Sequence, residues 1–253
     1  MDILSAIDEY CKNNGIRYSM ACGTLLGAIR HKGYIPWDDD IDIYVPRADY
    51  KQLVNYFPLV YKGKYEIISL ERNSQWERPY AKAYDNSTIF EEYSNNSVTI
   101  GINIDIFPID DVPQGDQWNC YNKKRRFQQS LFALKFVKLC KKRSFVKNLL
   151  LVLFQLIFVC YSKRKWAEEL DALSQRFNGR GCEYCYECCL GMLQRNPFQK
   201  ALFDDLIYIP FEDREFQAFA NYDNYLRNGY GDYMQLPPEE KRVSHHVFKA
   251  YWK

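Results

Sequence analysis

The chain has 253 residues, 47% of them apolar and 26% charged, with 12 glycines and 10 prolines. That is enough apolar surface for one large core or two small ones, and it excludes a disordered, collagenous or low-complexity chain. The formal net charge of +2 argues against a general nucleic-acid binder, but it averages two unlike parts. Residues 121–165 hold 13 Lys/Arg and no acid, which leaves 21 basic against 32 acidic residues elsewhere.

Ile3, Leu4, Ile7, Tyr10 and Cys11 recur at helical spacing, and Asn14-Gly15 ends that helix. Residues 16–21 read as a short strand running into Cys22-Gly23-Thr24, with Thr24 as the N-cap of a helix through Leu25, Leu26, Ala28 and Ile29. After a loop with Gly33 and Pro36, residues 40–45 alternate with period two and read as a strand ended by Pro46. Residues 48–57 read as a helix. Strands are expected over 65–70, 79–84, 88–93 and 101–107, between Asn- and Ser-rich turns. From 117 to 177 the pattern is helical, with Trp166, Leu170, Leu173 and Phe177 on one face. A further helix is expected over 216–226, before a tail with Pro237-Pro238. The expected architecture is α+β: a catalytic core over 1–115, then a mainly helical region over 116–253.

Nine cysteines in a long chain are no disulfide framework, and the early acids Asp2, Asp8 and Glu9 are unlike a secretory signal. Reduced thiols in the cytoplasm are expected. The longest apolar run, 149–161, is 13 residues and broken by Gln155, short of the roughly 18 a membrane span needs.

The sharpest feature is Trp37-Asp38-Asp39-Asp40-Ile41-Asp42. On a strand, Asp40 and Asp42 would project to one face, and two hard oxygen ligands at that spacing suit Mg²⁺, with Mn²⁺ as a substitute. Asp105, between Ile104 and Ile106, supplies a third acid in an expected strand. If the two strands are neighbours, the three carboxylates form a metal cluster for phosphoryl or nucleotidyl transfer. A solvated acidic turn plus an edge-strand Asp is the plainer alternative. Gly23-Thr24, between strand and helix, is placed to let a phosphate approach the backbone and the threonine hydroxyl. It is also placed simply to make the turn.

The continuous stretch from Cys22-Gly23-Thr24-Leu25-Leu26-Gly27 through Arg30-His31-Lys32-Gly33-Tyr34 to Trp37-Asp38-Asp39-Asp40-Ile41-Asp42-Ile43 closely resembles the LicD family of choline-phosphate transferases, relatives of the fukutin proteins. Ile104-Asp105-Ile106-Phe107-Pro108 resembles a second motif of that family. Tyr230-Gly231-Asp232-Tyr233-Met234, with Pro237-Pro238 and Arg242, resembles the C-terminal one. The likeness is specific over 22–43 and weak over 117–200. It implies a nucleotidyltransferase-like mixed sheet with flanking helices, and Asp40, Asp42 and Asp105 as both metal ligands and catalytic acids. It also implies a CDP-linked donor, such as CDP-choline or a CDP-alditol, and as acceptor a hydroxyl of a cell-surface or lipid-linked glycan. Asp105 is then the general base. Arg30, His31, Lys32 and Lys82 become phosphate partners, with a solvated helix end as the alternative for His31 and Lys32. Trp37 and Tyr34 are candidates to hold a quaternary ammonium, or are wedged core aromatics.

Two other readings stay open: a nucleotidyltransferase moving a nucleoside monophosphate, and a non-catalytic glycan- or nucleotide-binding relative at the membrane surface. Cys182, Cys185, Cys188 and Cys189 fall within eight residues, awkward for tetrahedral zinc, and read first as reduced thiols. His245-His246 reads as surface or core. No Walker loop, nucleophile elbow or dinucleotide fingerprint is present. Around the apolar run lie Lys123-Lys124-Arg125-Arg126, Lys141-Lys142-Arg143 and Lys163-Arg164-Lys165. The segment reads either as a helix lying on the inner face of an anionic cytoplasmic membrane or as a core helix with solvated lysines.

Overall fold

The computed structural model describes the chain except for residues 93–97, 138, 140–143, 192 and 245–247. The end of the strand expected to reach Tyr93, the Lys141-Lys142-Arg143 cluster and His245-His246 lie outside the described residues.

α1 (Asp2–Asn14) buries Ile3, Leu4, Ala6, Ile7, Tyr10 and Cys11, and Gly15 ends it in the left-handed conformation, φ 62°. β1 (Ser19–Met20) is shorter than its expected strand and pairs antiparallel with β2 (Asp42–Pro46). Between them runs α2 (Cys22–Arg30). Pro46 hands β2 to α3 (Arg47–Val60), which buries Tyr50, Leu53, Val54 and Phe57. β3 (Tyr65–Ile68), β4 (Ala81–Asp85), β5 (Thr88–Glu92) and β6 (Asn103–Val112) follow. The helical stretch resolves into α4 (Gly115–Leu134), α5 (Phe145–Ile157) and α6 (Lys163–Ser174). Beyond α6 come β7 (Tyr184–Tyr186), β8 (Phe198–Gln199), β9 (Leu206–Phe211), β10 (Arg214–Phe219), α7 (Tyr222–Tyr230) and β11 (Phe248–Trp252).

The central mixed sheet has seven strands in the order β1-β2-β6-β4-β3, with β7 on β6 and β8 on β7. Among the described residues, only β2 and β6 pair in parallel there. β6 is the spine, burying Ile104, Ile106, Phe107, Ile109 and Val112. Pro108 falls between the stretch paired with β4 (103–106) and the stretch paired with β7 (110–112), where no antiparallel partner calls on its missing N–H. The 115/116 boundary coincides with the start of α4, yet β7 and β8 from beyond it complete the sheet of the first part.

The helix expected over 216–226 is a correction. Residues 214–219 form β10, hairpinned to β9 through Glu212-Asp213, with Glu212 at φ 57°, and the helix begins only at Tyr222. The three-residue step from Phe216 to Phe219 imitated a helical face. In the fold, Phe216 and Ala218 alternate inward from a strand, opposite Ile209 and Ile207 of β9.

Candidate active site

The sheet register builds the site. β2 and β6 place Asp42 opposite Asp105, and β6 and β4 place Asp105 opposite Lys82. Residues directly opposite one another share a face, so two acids and a cation stand in a row across three adjacent strands. The Lys82 ammonium contacts Asp105 Oδ1 and donates to Asn103 Oδ1 at 3.0 Å. The alternation placed Asp40 on the strand beside Asp42, but β2 starts only at Asp42, so Asp40 lies in the preceding loop. The loop end is instead held against β6 by the Asp105 N–H, which donates to the Ile41 carbonyl at 2.8 Å.

These carboxylates crowd one another. Burial, and then the charges of Asp40, Asp105 and Asp38, push the Asp42 carboxyl well above the usual carboxylate range, against the opposing pull of Lys82. The donor set is all hard oxygen, and a surplus of negative charge in a desolvated place is what a divalent cation relieves, so the residues fit Mg²⁺ in chemistry. No three His, Cys, Asp or Glu side chains among the described residues are closed around a common metal position. On Asp105, Lys82 occupies the neutralising place.

Thr24 does not cap α2. The N-cap is Ala21, and the Thr24 hydroxyl accepts the Asp42 N–H at 2.8 Å, tying the start of β2 to the first turn of α2. A Cβ at Gly23 would run into the Asp38 carboxylate, so the glycine admits an acid to the helix N-terminus where the sequence suggested a phosphate. Asp38 is thus a site residue that sequence reasoning missed. Its signal, the first acid of the run, was present but could not be told from its neighbours.

The candidate phosphate partners are scattered in role. The Arg30 guanidinium donates to the Tyr233 carbonyl at 2.8 Å and so anchors the C-terminal motif to α2. His31 stands edge-on to Trp37, ring centroids 6.0 Å apart, and burial followed by the Arg30 charge lowers its pKa. Lys32 is exposed in a left-handed turn, φ 63°, whose carbonyl accepts the Glu212 N–H at 2.8 Å. Tyr34 packs its ring on Phe211, centroids 4.9 Å apart, as a wedged aromatic. Over the Trp37 ring sits the Arg242 guanidinium, 5.7 Å from the centroid, so a cation already occupies that face.

A cleft of about 680 Å³ gathers the separated motifs. Gly23, Arg30, Trp37 and Asp38 line one side, and Tyr230, Asp232, Tyr233 and Arg242 the other. Burial raises the Tyr230 phenol far above its ordinary value, helped by Cys22, Asp42, Asp38 and Asp40, so this lining residue sits within the field of the acids. Arg242 and Tyr230 could not be placed here from sequence, since they lie roughly 200 residues from the acidic run.

Residues 15–152 match the family described as LicD/FKTN/FKRP, nucleotidyltransferase domain. The chain is also 32% identical to the lipopolysaccharide cholinephosphotransferase LicD of Haemophilus influenzae, over 99% of this chain and 94% of that protein. It belongs to the LicD family. Two further relatives, uncharacterized proteins of Rickettsia prowazekii and Rickettsia typhi, are 44% and 42% identical over 64 residues. Those matches span 25% and 24% of this chain, and 24% and 21% of the respective relatives. Within this LicD-family chain, the parallel pairing of β2 with β6 brings the two acidic motifs together, and Arg30 brings the third.

The cysteine cluster stands apart from the cleft. Cys185, Cys188 and Cys189 are buried, and burial pushes each thiol up, so they are protonated at neutral pH. Cys189 donates to the Pro79 carbonyl at 3.0 Å and Cys185 to the Phe198 carbonyl at 3.7 Å, which is core packing.

Proposed function

We propose that this LicD-family transferase moves a phosphocholine-type or phospho-alditol group from a CDP-linked donor to a hydroxyl of a lipid-linked cell-surface glycan, releasing CMP. The observation that carries the reading is the register that sets Asp42 opposite Asp105, together with a cleft lined by the first and C-terminal motifs whose Tyr230 lies in the field of Asp42, Asp38 and Asp40. The Haemophilus influenzae relative, similar over nearly the whole chain, is named for cholinephosphate transfer to lipopolysaccharide. Asp40, Asp42 and Asp105 would hold Mg²⁺ or Mn²⁺, which when bound supplies neutralising charge at the donor's diphosphate.

The chain's own residues do the rest. Lys82, in register with Asp105, brings a cation to the same face for the phosphate oxygens as the bond to CMP breaks. Arg242 presents a second cation over Trp37 in the lining of the cleft. Asp105 accepts the acceptor hydroxyl's proton as its oxygen bonds to phosphorus, and CMP leaves with the electron pair of the broken P–O bond. Arg30 takes a positioning role, since its guanidinium holds the Tyr233 carbonyl.

The test is to incubate purified protein with CDP-choline or CDP-alditols, Mg²⁺ and a lipooligosaccharide acceptor, and to measure CMP. The expected result is acceptor-dependent CMP release that is lost in Asp42→Asn. Pyrophosphate release from a nucleoside triphosphate instead would make it a nucleotidyltransferase, and no turnover with any donor would make it a binding protein.

A further inference from the structure

The largest run of exposed apolar side chains lies on α5. Val146, Leu149, Leu150, Leu153, Leu156 and Ile157 step along one stripe of the helix and are 45–73% exposed. On the other side Leu151 is buried, and the Gln155 amide donates to the Val137 carbonyl at 3.1 Å. A surface helix of a soluble domain puts its apolar stripe inward and its polar residues out. Here Gln155 turns toward the protein while leucines face solvent, so the helix is built for an apolar surrounding on its outer side.

The charge of the segment that carries it says what that surrounding is. Lys123, Lys124, Arg126, Lys147 and Lys165 are exposed within a segment that carries no acid. Two members of the expected basic clusters serve the fold instead. Arg125 is buried, donating to Asn122 and to the Cys188 carbonyl, and Arg164 donates to the Leu70, Asn73 and Trp76 carbonyls. A second copy of the chain meeting this stripe face to face would bring two acid-free basic segments together. An anionic bilayer surface offers apolar depth and opposite charge at once.

We propose that α5 docks on an anionic lipid bilayer, lying in the plane of the interface with its leucine stripe down and Lys147 and the other exposed cations of its segment drawn to the headgroups. Its 13 residues make about 20 Å of helix, shorter than a roughly 30 Å hydrocarbon core. Among the described residues no helix is long and apolar enough to cross a membrane. None of these residues lines the cleft, so docking and CMP release stand or fall separately.

The experiment is flotation of the full chain with vesicles of equimolar phosphatidylglycerol and phosphatidylcholine, against pure phosphatidylcholine, at low and high salt. Binding to the anionic vesicles at low salt is expected, at least about tenfold weaker on neutral vesicles or at high salt. The same loss is expected from Leu150→Ser with Leu153→Ser and Leu156→Ser, and from glutamine at the five exposed cations. All are surface positions, and circular dichroism checks that both variants stay folded. No flotation at low salt overturns the proposal, as does flotation unchanged in either variant. A lipid-free dimer in sedimentation that the serine variant abolishes would assign the stripe to a second copy instead.

Discussion

The two ends of one strand pair, β2 and β6, treat charge in opposite ways. At the leading end Asp42 and Asp105 stand in register, with Asp40 and Asp38 in the same field and Lys82 the cation opposite Asp105, and the Asp42 carboxyl is driven up by the crowding. At the trailing end, where β2 hands over to α3, Arg47 is matched. Its guanidinium donates to both Asp110 oxygens at 2.8 and 2.6 Å and to Asp171 at 2.8 Å. Asn178 donates to Asp110 at 2.6 Å and Gln175 to Asp171 at 2.8 Å, so every oxygen of the two carboxylates accepts a hydrogen bond. Asp110 is fully buried and Arg47 nearly so, yet opposite charge and geometry satisfy both. The contrast teaches how to tell a structural ion cluster from a candidate site: the first, two acids to one guanidinium, serves each carboxylate by direct hydrogen bonds, whereas the second crowds several acids into one field and drives the Asp42 carboxyl up.

The largest effect should come at the surplus end. Asp42→Asn is expected to cut turnover by on the order of 10³-fold or more, and Asp40→Asn likewise, with melting temperature unchanged or raised because a repelling charge is gone. Near-normal CMP release by either variant would remove the functional half of the comparison. At the matched end, Arg47→Met leaves Asp110 and Asp171 buried without their cation. The expected cost is about 3–5 kcal/mol, or roughly 10 °C in Tm at this chain length. Turnover per folded molecule should stay within a few-fold. A selective loss of turnover with Tm intact would show that the trailing end is functional too.

Lys82→Gln sharpens the same contrast. A fall of about 10²-fold in kcat/KM is expected, mostly as a raised KM for the donor, with part recovered by Lys82→Arg. An unchanged donor KM would reduce Lys82 to a partner of Asp105. The smallest effect concerns a second buried acid, Glu187, which accepts the N–H groups of Leu190 at 2.8 Å and Gly191 at 2.5 Å. Burial raises its carboxyl above the ordinary value in spite of those hydrogen bonds. The folded state therefore holds that proton more tightly than the unfolded chain, and the stability so gained is full at low pH and lost as pH rises. The Gln amide keeps one accepting oxygen for these two N–H groups, which sets a constant offset, and on top of it the Tm of wild type is expected to rise relative to Glu187→Gln as the pH falls toward about 4. A wild-type Tm that falls relative to the variant on acidification would contradict the raised carboxyl.

Much of the site was legible because its chemistry is local in sequence. The acidic run, the Gly-Thr turn and the isolated Asp105 each stood out, and the helix from Ile3 to Cys11 with its Gly15 stop matched α1. Period-two alternation does not say where pairing begins, so Asp40 read as strand although the ladder starts at Asp42. Thr24 read as a cap because its neighbours allow one, while the fold offered its hydroxyl a nearer donor in the Asp42 N–H. Arg125 counted as surface charge because nothing local shows that Cys188 and Asn122 close around it.

By itself the sequence determined the family, the α+β character, and which acids could carry transfer chemistry, because motif spacing and hydrophobic period are properties of the chain alone. Only the tertiary structure decided which charges are balanced. The parallel register of β2 and β6 placed Asp42 beside Asp105, Gly23 admitted Asp38, Arg30 drew the C-terminal motif into the cleft, and α5 was left with its leucines outward. The physical reason is range: periodicity acts over a few residues, whereas charge balance depends on groups up to two hundred residues apart that meet only when the sheet forms.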